Sequence, residues 1–264
     1  MILSAFLLPH PPVILPEVGK GREQEIQTTI DAFNECARQI SQLKPDTIIL
    51  VSPHCTCYTD YFHISPGKFA VGDLGRFGAS KVRITADYDI KLATEIEKTA
   101  ATTFGIPAGT HGEQSPQLDH GTIVPLCFVN KYYTGYELVR IGVSGLSLET
   151  HYEFGKAIAT SAKWLGKRIV FIASGDLSHV LPQESGVKLD AEITDALANG
   201  ELSRLLQIPP ELIENGAECG LRPLVVMFGA LDGLDVSAKL LSYEGTFGVG
   251  YAVASFVPNE GDMK

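Results

Sequence analysis

The alternation of short, nearly continuous apolar runs with longer amphipathic stretches constrains the fold most. Apolar, β-branched runs predict strands at residues 2–8, 47–52, 137–144, 168–174, 236–243 and 248–257. Apolar side chains recur at helical spacing in the stretches 22–43, 88–104, 149–165, 187–206 and 221–232. Because helices between strands require crossover connections, the pattern predicts an α/β fold, with three layers (α/β/α) around a central, mostly parallel sheet.

The end of the chain predicts one exception to the parallel order. Only a short EGTF stretch around Glu244 joins the last two runs, which is too short for a crossover, so an antiparallel hairpin and a mixed sheet are expected. Segment 65–80 is glycine-rich and predicts a surface loop or a small hairpin. With 264 residues and no linker-like segment, we interpret 1–264 as a single domain.

The net charge, the apolar stretches and the cysteine count limit which partners and which cellular compartment are expected. A formal net charge of −10 repels phosphate backbones, so no nucleic-acid partner is expected. The longest nearly apolar stretch, 248–257, is too short to span a bilayer, and the apolar start of the chain lacks a basic leading segment, so no membrane association is expected. Five cysteines favour reduced thiols over a disulfide framework and indicate the cytoplasm.

Histidines follow three of the predicted strands directly. The first strand continues into His10, the second into His54 and the fourth into a turn that ends at His179. In open α/β sheets, ligands bind beyond the carboxyl ends of the strands. Prolines beside His10 and His54 restrict the backbone from which those imidazoles project. The sequence therefore predicts a metal site at this edge of the sheet, since neutral imidazole is the commonest protein ligand for transition metals.

A third ligand is needed, and Glu218 is the candidate. Two histidines and one carboxylate form the facial arrangement of non-haem Fe(II) oxygenases. Glu218 stands just before the helical stretch that begins near residue 221. A solvated carboxylate that complements the positive end of that helix explains Glu218 equally well. Its distance from the histidines cannot be read from the sequence.

Five motifs together carry a family resemblance. They are PHPP at 9–12, SPH at 52–54, Asp-His-Gly with a following Pro-Leu at 119–126, SGDLSH at 174–179, and Glu-Cys-Gly at 218–220 before an apolar helix. In this order and at this wide spacing they resemble the catalytic LigB-type subunit of class III extradiol ring-cleavage dioxygenases. They also resemble the Memo proteins, which share that fold. The likeness covers most of the chain.

The resemblance implies a set of metal ligands. His10 and His54 match the two histidine ligands of the family, and Glu218 matches its carboxylate ligand. The Memo branch has a cysteine in place of this glutamate, and here Glu218 and Cys219 are neighbours. Glu218 would favour Fe(II), the ion expected from the dioxygenases, whereas Cys219 would favour Cu or Zn.

The resemblance also implies roles for three further residues. His179 matches the histidine that acts as acid and base, His120 matches one that contacts substrate or oxygen, and Asp176 matches an acidic residue of the Memo branch. The implied reaction is Fe(II)-dependent cleavage of a catechol-type ring, with a small aromatic substrate and O₂ as reactants. The loops 65–80 and 107–118 are expected to line the pocket that selects the substrate.

Two other functions remain open at this stage. One is a Memo-like metal-binding or redox protein without ring cleavage, which Cys219, Cys55 and Cys57 favour. The other is a Zn-dependent hydrolase or lyase that uses the same ligands, because zinc accepts two histidines and a carboxylate with a water. Relatives imply either a homodimer or a small partner subunit that closes the site.

Overall fold

A six-stranded sheet forms the centre of the protein in our computed structural model, which describes residues 1–259. All ten strands of residues 1–259, in chain order from β1 to β10, are Ile2–Leu8, Thr47–Ser52, Phe62–His63, Phe69–Leu74, Ala79–Asp87, Ala108–Gly109, Glu137–Gly142, Ile169–Ser174, Val236–Glu244 and Tyr251–Pro258. In the order of the central sheet, the strands are β7, β2, β8, β1, β10 and β9.

Eight α-helices pack around the sheet in residues 1–259. From α1 to α8 they are Pro16–Gly19, Gln27–Leu43, Ile90–Thr99, His120–Val129, Leu148–Trp164, Glu184–Asn199, Pro210–Gly216 and Leu221–Ala230. Short 3₁₀ segments lie at Pro12–Ile14, Arg22–Ile26, Gly75–Phe77 and Leu202–Gln207, and a π-helical turn extends α3 over Ala100–Phe104.

The predicted α/β fold with a mostly parallel, mixed sheet is confirmed. Strands β7, β2, β8 and β1 are parallel neighbours, whereas β10 pairs antiparallel with both β1 and β9. The short connection after Glu244 explains the change of direction, because two adjacent strands joined by a turn must run in opposite senses. All six runs predicted as strands form this sheet.

Two apolar layers cover the faces of the sheet. Successive side chains of β1 alternate between them: Leu7 packs with one layer, and Phe6 and Leu8 with the other. Helices α3, α5, α6 and α8 contribute to the first layer, and α2 and α4 to the second. Since both faces are buried, β1 and β2 are apolar nearly throughout, as the sequence pattern indicates.

Segment 65–80 begins a real hairpin rather than a plain loop. Strands β4 and β5 pair antiparallel, and the 3₁₀ turn Gly75–Phe77 forms the tip. Gly78 ends this turn with a φ of +78°, a conformation that costs glycine little. The hairpin is a separate two-stranded sheet beside the central one.

None of the helices in residues 1–259 combines the length and apolar character that crossing a lipid bilayer requires.

Candidate metal centre

Three adjacent parallel strands end at the same edge of the sheet and bring the predicted side chains together. His10 follows β1, His54 follows β2, and Asp176 and His179 follow β8, which lies between those two strands. This edge is therefore built by residues that are far apart in the chain. His10 is buried, whereas His54 and His179 are exposed.

His120 joins the cluster from the first turn of α4. Its ring centroid lies 4.1 Å from that of His54 and 5.3 Å from that of His10. Ring nitrogens of these three histidines all lie within 4.8 Å of one another. Burial, and then the neighbouring His54, lower the pKa of His120 to about 4, so its imidazole is neutral at physiological pH.

Cys219 enters from the turn before α8, where two loops come unusually close. A side chain on Gly175 would overlap the backbone of Gly220, so the pair of glycines permits the approach. The Cys219 N–H donates to the Asp176 carbonyl at 3.3 Å, and the Asp176 N–H donates to Cys219 Sγ at 3.3 Å. These reciprocal bonds hold the thiol against the loop that follows β8.

Potential donor atoms meet at His10, which belongs to one group with His54 and His120 and to another with Asp176 and Cys219. His10 Nε2 lies 3.0 Å from His54 Nε2 and 3.6 Å from Cys219 Sγ. Bonds of about 2.0 Å to nitrogen and 2.3 Å to sulfur in a tetrahedral site put ligand atoms about 3.3–3.6 Å apart. Cys219 Sγ is also 3.8 Å from His179 Nε2. The spacing and the donor types agree with a site that takes imidazole and thiolate ligands.

Hydrogen bonds fix the proton of His10 on the side away from the cluster. Ser174 Oγ donates to the Gly121 carbonyl at 2.5 Å, so it must accept from His10 Nδ1, 2.9 Å away. The lone pair of His10 Nε2 therefore faces His54 Nε2, and a proton or a cation must lie between the two nitrogens. Burial, and then His54, lower the pKa of His10 to about 3, which keeps this imidazole neutral.

Asp176 lies between His10 and His179 and contacts both. Its Oδ1 accepts the backbone N–H of His10 at 2.7 Å, and its Oδ2 lies 3.9 Å from His179 Nε2. Burial raises the pKa of Asp176 to about 6, and the hydrogen bond from His10 opposes that rise. This carboxyl can both position His10 and respond to the charge of His179.

The largely buried carboxylate of Asp119 links the loops that carry His54 and His120. Asp119 accepts from Ser52 Oγ at 2.6 Å, and the His54 N–H donates to the same Ser52 oxygen at 3.2 Å. Arg140 donates to Asp119 through Nη2 at 2.8 Å and Nε at 3.1 Å. Burial alone would raise the pKa of Asp119, but the Arg140 charge and these hydrogen bonds hold it below its usual range.

Glu218 points away from the imidazoles. Its Oε2 accepts the Leu221 N–H at 2.5 Å and satisfies a free donor at the start of α8. Burial raises the pKa of Glu218. In residues 1–259, Cys219 belongs to a potential ligand cluster with His10 and Asp176, whereas Glu218 belongs to none. The choice of Glu218 as a ligand stays a prediction, and the geometry puts its rival Cys219 beside the histidines.

A cavity of about 550 Å³ adjoins the cluster. His54 and His120 form part of its wall, together with Arg140, Arg76 and Phe77. The expected pocket loops 65–80 and 107–118 both contribute to this wall, and Arg76 and Phe77 lie at the tip of the β4–β5 hairpin. Sequence reasoning did not single out these two residues or Arg140, and it gave no role to Ser174.

Comparisons with known proteins identify the family of this chain. Residues 4–254 match the family described as the catalytic LigB subunit of aromatic ring-opening dioxygenase. A protein of Clostridium acetobutylicum, CA_C1420, is 36% identical over 277 residues that cover 96% of this chain. This chain spans only 57% of that relative. A MEMO1 family protein of Methanocaldococcus jannaschii, MJ0403, is 36% identical over 235 residues, covering 88% of this chain and 75% of the relative.

A solved structure shares the fold. The crystal structure of the uncharacterized protein JW3007 from Escherichia coli K12 superposes with a TM-score of 0.62 over 96% of this chain and 99% of that chain, at 16% sequence identity. The family match covers most of the chain and includes every strand end at which the clustered side chains stand. This protein therefore belongs to the family of the catalytic LigB subunit of aromatic ring-opening dioxygenases, to which the Memo-type proteins are also related.

Proposed function

We propose that this protein is a metal-dependent oxidoreductase in which His10, His54 and Cys219 bind one redox-active transition-metal ion. The observation that carries the proposal is that His10 Nε2 lies 3.0 Å from His54 Nε2 and 3.6 Å from Cys219 Sγ. Thiolate and imidazole together favour copper or zinc over harder ions. Of these two, only copper changes oxidation state, and once bound it would supply electron transfer to a substrate in the adjoining cavity.

The residues around the proposed ligands have separate tasks. Ser174 keeps the proton of His10 on Nδ1 and so leaves Nε2 free to bind. His179 is the proposed acid and base, because its imidazole is exposed toward solvent and stands 3.9 Å from the Asp176 carboxylate. Asp176 is the positioning residue for both histidines. His120 is neutral and forms part of the cavity wall, where it can donate a hydrogen bond to a substrate oxygen.

Elemental analysis of natively purified variants tests the ligand set. We expect Cys219→Ala and His54→Ala to lose the metal. Glu218→Gln should keep it, because the amide oxygen can still accept the Leu221 N–H. Cys127→Ala removes a half-buried thiol outside the cluster and is the matched control. Full metal content in Cys219→Ala, or loss in Glu218→Gln alone, would contradict the proposal.

Oxygen-dependent opening of a catechol-type ring is the second candidate. The family match and the cavity beside His54 and His120 support it. It needs iron and a carboxylate ligand, so Glu218 would have to turn the oxygen that does not accept the Leu221 N–H toward the histidines. An iron-loaded sample that consumes O₂ with a catechol, and loses both iron and activity in Glu218→Gln, would favour this candidate over the first. His179→Ala should then keep the metal and lose turnover.

A further inference from the structure

A second cavity, of about 400 Å³, lies at the amino end of β1, away from the metal centre. Ile2, the first residue of that strand, forms part of its wall, whereas His10 follows the other end. The seven residues of β1 span roughly 20 Å. A ligand in this cavity would therefore not touch the proposed metal ligands, although the volume is within the range of small-molecule sites.

Most of the wall of this second cavity is apolar. Its apolar residues come from β1, from the π-helical turn after α3, from α5 and from the end of α8: Ile2, Phe104, Ala159, Gly229, Ala230 and Leu234. Phe104, Ala159 and Leu234 pack against the first apolar layer but are only half-buried. An apolar occupant would remove the rest of their surface from water, which favours its binding.

An unusual piece of backbone brings Phe104 to the cavity. In the π-helical turn Ala100–Phe104, the Gly105 N–H donates to the Ala100 carbonyl, five residues back. Turns of this kind are rare and frequently lie at functional sites. The turn is thus a feature separate from the cavity's volume and lining that also indicates a ligand site.

The wall contains one lysine that is matched and one that is not. Lys156 Nζ lies 3.1 Å from Glu153 Oε1 and 3.8 Å from Asp232 Oδ2. The side chain of Lys163 forms no ion pair or hydrogen bond within residues 1–259, and it is exposed. The Lys163 ammonium is therefore available to an anion from solution.

A position near a helix end gives Lys163 a simpler role as well. It lies in the last turn of α5, where a positive charge complements the helix dipole. That role does not require the side chain to face a cavity. Lys98 has the same place in the last turn of α3 and does not line this cavity, so it provides a matched control.

We propose that the second cavity binds a medium-chain carboxylate, whose alkyl chain lies against Phe104, Ala159 and Leu234 and whose carboxylate pairs with Lys163. A largely aliphatic wall with a single unmatched positive charge is complementary to a molecule with an apolar body and one anionic end. The proposal goes beyond the proposed function, because none of these four residues belongs to the metal centre or to the cavity beside it.

A series of carboxylates that differ only in chain length tests the apolar part. Butanoate, hexanoate and octanoate are titrated into the full chain at low ionic strength, with the isoleucine δ1 methyl groups labelled for NMR. The Ile2 signal should shift, and that of Ile14, which lies beyond His10, should not. We expect about threefold tighter binding for each added CH₂ that becomes buried. Equal affinities along the series, or a shift at Ile14 alone, would overturn the proposal.

A probe of the same length without charge tests the role of Lys163. We expect octanoate to bind about fivefold more tightly than octanamide, the upper range for one partly exposed ion pair, and the ratio to fall at high salt. Lys163→Gln should bring the ratio close to unity, whereas Lys98→Gln should leave it unchanged. The same loss in both variants would contradict the assignment, because the net charge of the protein would then explain the preference.

Filling the cavity separates binding inside it from binding on the surface. Ala159→Leu places three further carbon atoms in the wall and should weaken octanoate and octanamide alike. Ala198→Leu, at an exposed alanine of α6 outside the cavity, should weaken neither. Light scattering on the same samples tests a different occupant. A dimer that forms in wild type and is lost in Ala159→Leu would assign the cavity to a second copy of the chain and overturn the carboxylate site.

Discussion

Two neighbouring residues, Glu218 and Cys219, were rival candidates for the third metal ligand, and the chemistry of the centre depends on which one binds. Glu218 and Cys219 follow one another in a turn, so their side chains leave the backbone in different directions. Glu218 caps α8, and Cys219 Sγ approaches His10. Residue types and spacing indicated both but could not choose, because the choice depends on how the turn is rotated against the loop after β8.

Metal affinity should rise with pH because the Cys219 thiol must lose its proton on binding. Burial, and then the Asp176 charge, raise the pKa of Cys219, so the free protein holds the proton and metal binding releases it. His10, with a pKa lowered to about 3, has no proton to lose. We expect about a tenfold gain in affinity per pH unit between about pH 6 and pH 8, measured by competition with a chromophoric chelator. Cys219→Ala should bind weakly and show a flat profile.

Ser174→Ala should weaken metal binding without removing any proposed ligand. The change deletes the acceptor of the His10 Nδ1 proton, so the imidazole can adopt the other tautomer and turn its lone pair away. Loss of such a supporting partner typically costs about 10–100-fold in metal affinity. The same chelator competition measures it. Ser161→Ala, a buried serine of α5 away from the centre, should keep the wild-type affinity, and equal losses in the two variants would contradict the tautomer argument.

Strands and helices could be predicted where apolar residues recur at regular spacing, and less well where they do not. The strands of the central sheet read as apolar runs because both of their faces are buried. Helix α4 was missed: nearly all its residues are buried, so it has no polar face, and it contains Pro125. Segment 65–80 was expected to line the pocket, but which of its side chains do so depends on tertiary packing and could not be predicted.

Gly155→Ala should destabilise the packing of α5 against α8. A methyl group at position 155 would overlap the Val226 carbonyl and the backbone near Gly229, and neither can move without shifting a helix. Overpacking of this kind costs about 1–3 kcal/mol of the free energy of unfolding. Urea denaturation measures the loss. Thr160→Ala, an exposed site on the same helix, should change stability little, and a tolerated Gly155→Ala would show that the helices can separate.

At the scale of the whole molecule, the two ends of the central sheet have different roles. The candidate metal centre lies at the carboxyl ends of the parallel strands, whereas an ion pair between half-buried Lys167 and buried Asp89 lies at the opposite end, near the start of β2 and β8. There Lys167 Nζ lies 2.7 Å from Asp89 Oδ2, and Thr47 Oγ1 donates to the same oxygen at 2.6 Å. Stability and chemistry can therefore be altered separately.

Asp89→Asn should remove part of the acid sensitivity of folding. Burial alone would raise the pKa of Asp89, but hydrogen bonds from Lys167, Thr47 and the Leu92 N–H lower it below the usual value. A lowered pKa in the folded state contributes stability that is complete above the ordinary carboxylate pKa of about 3.9 and is lost as pH falls through the folded value.

Denaturation at several pH values tests this. We expect Asp89→Asn to lose about 1–3 kcal/mol at neutral pH, where Lys167 loses its charged partner, and the deficit to shrink in acid. Asp60→Asn, a change at an exposed carboxylate, is the control. A deficit that does not depend on pH would contradict the role given to Asp89. Metal content should stay at the wild-type level in both variants.

The β4–β5 hairpin pairs only with itself, apart from one isolated bridge between Val71 and Gln117, and contributes no strand to the six-stranded sheet. Its tip can be lengthened, shortened or exchanged without changing the register of β1, β2 or β8. Changes confined to residues 75–78 should therefore reshape this side of the cavity and leave in place the strand ends that carry the proposed metal ligands.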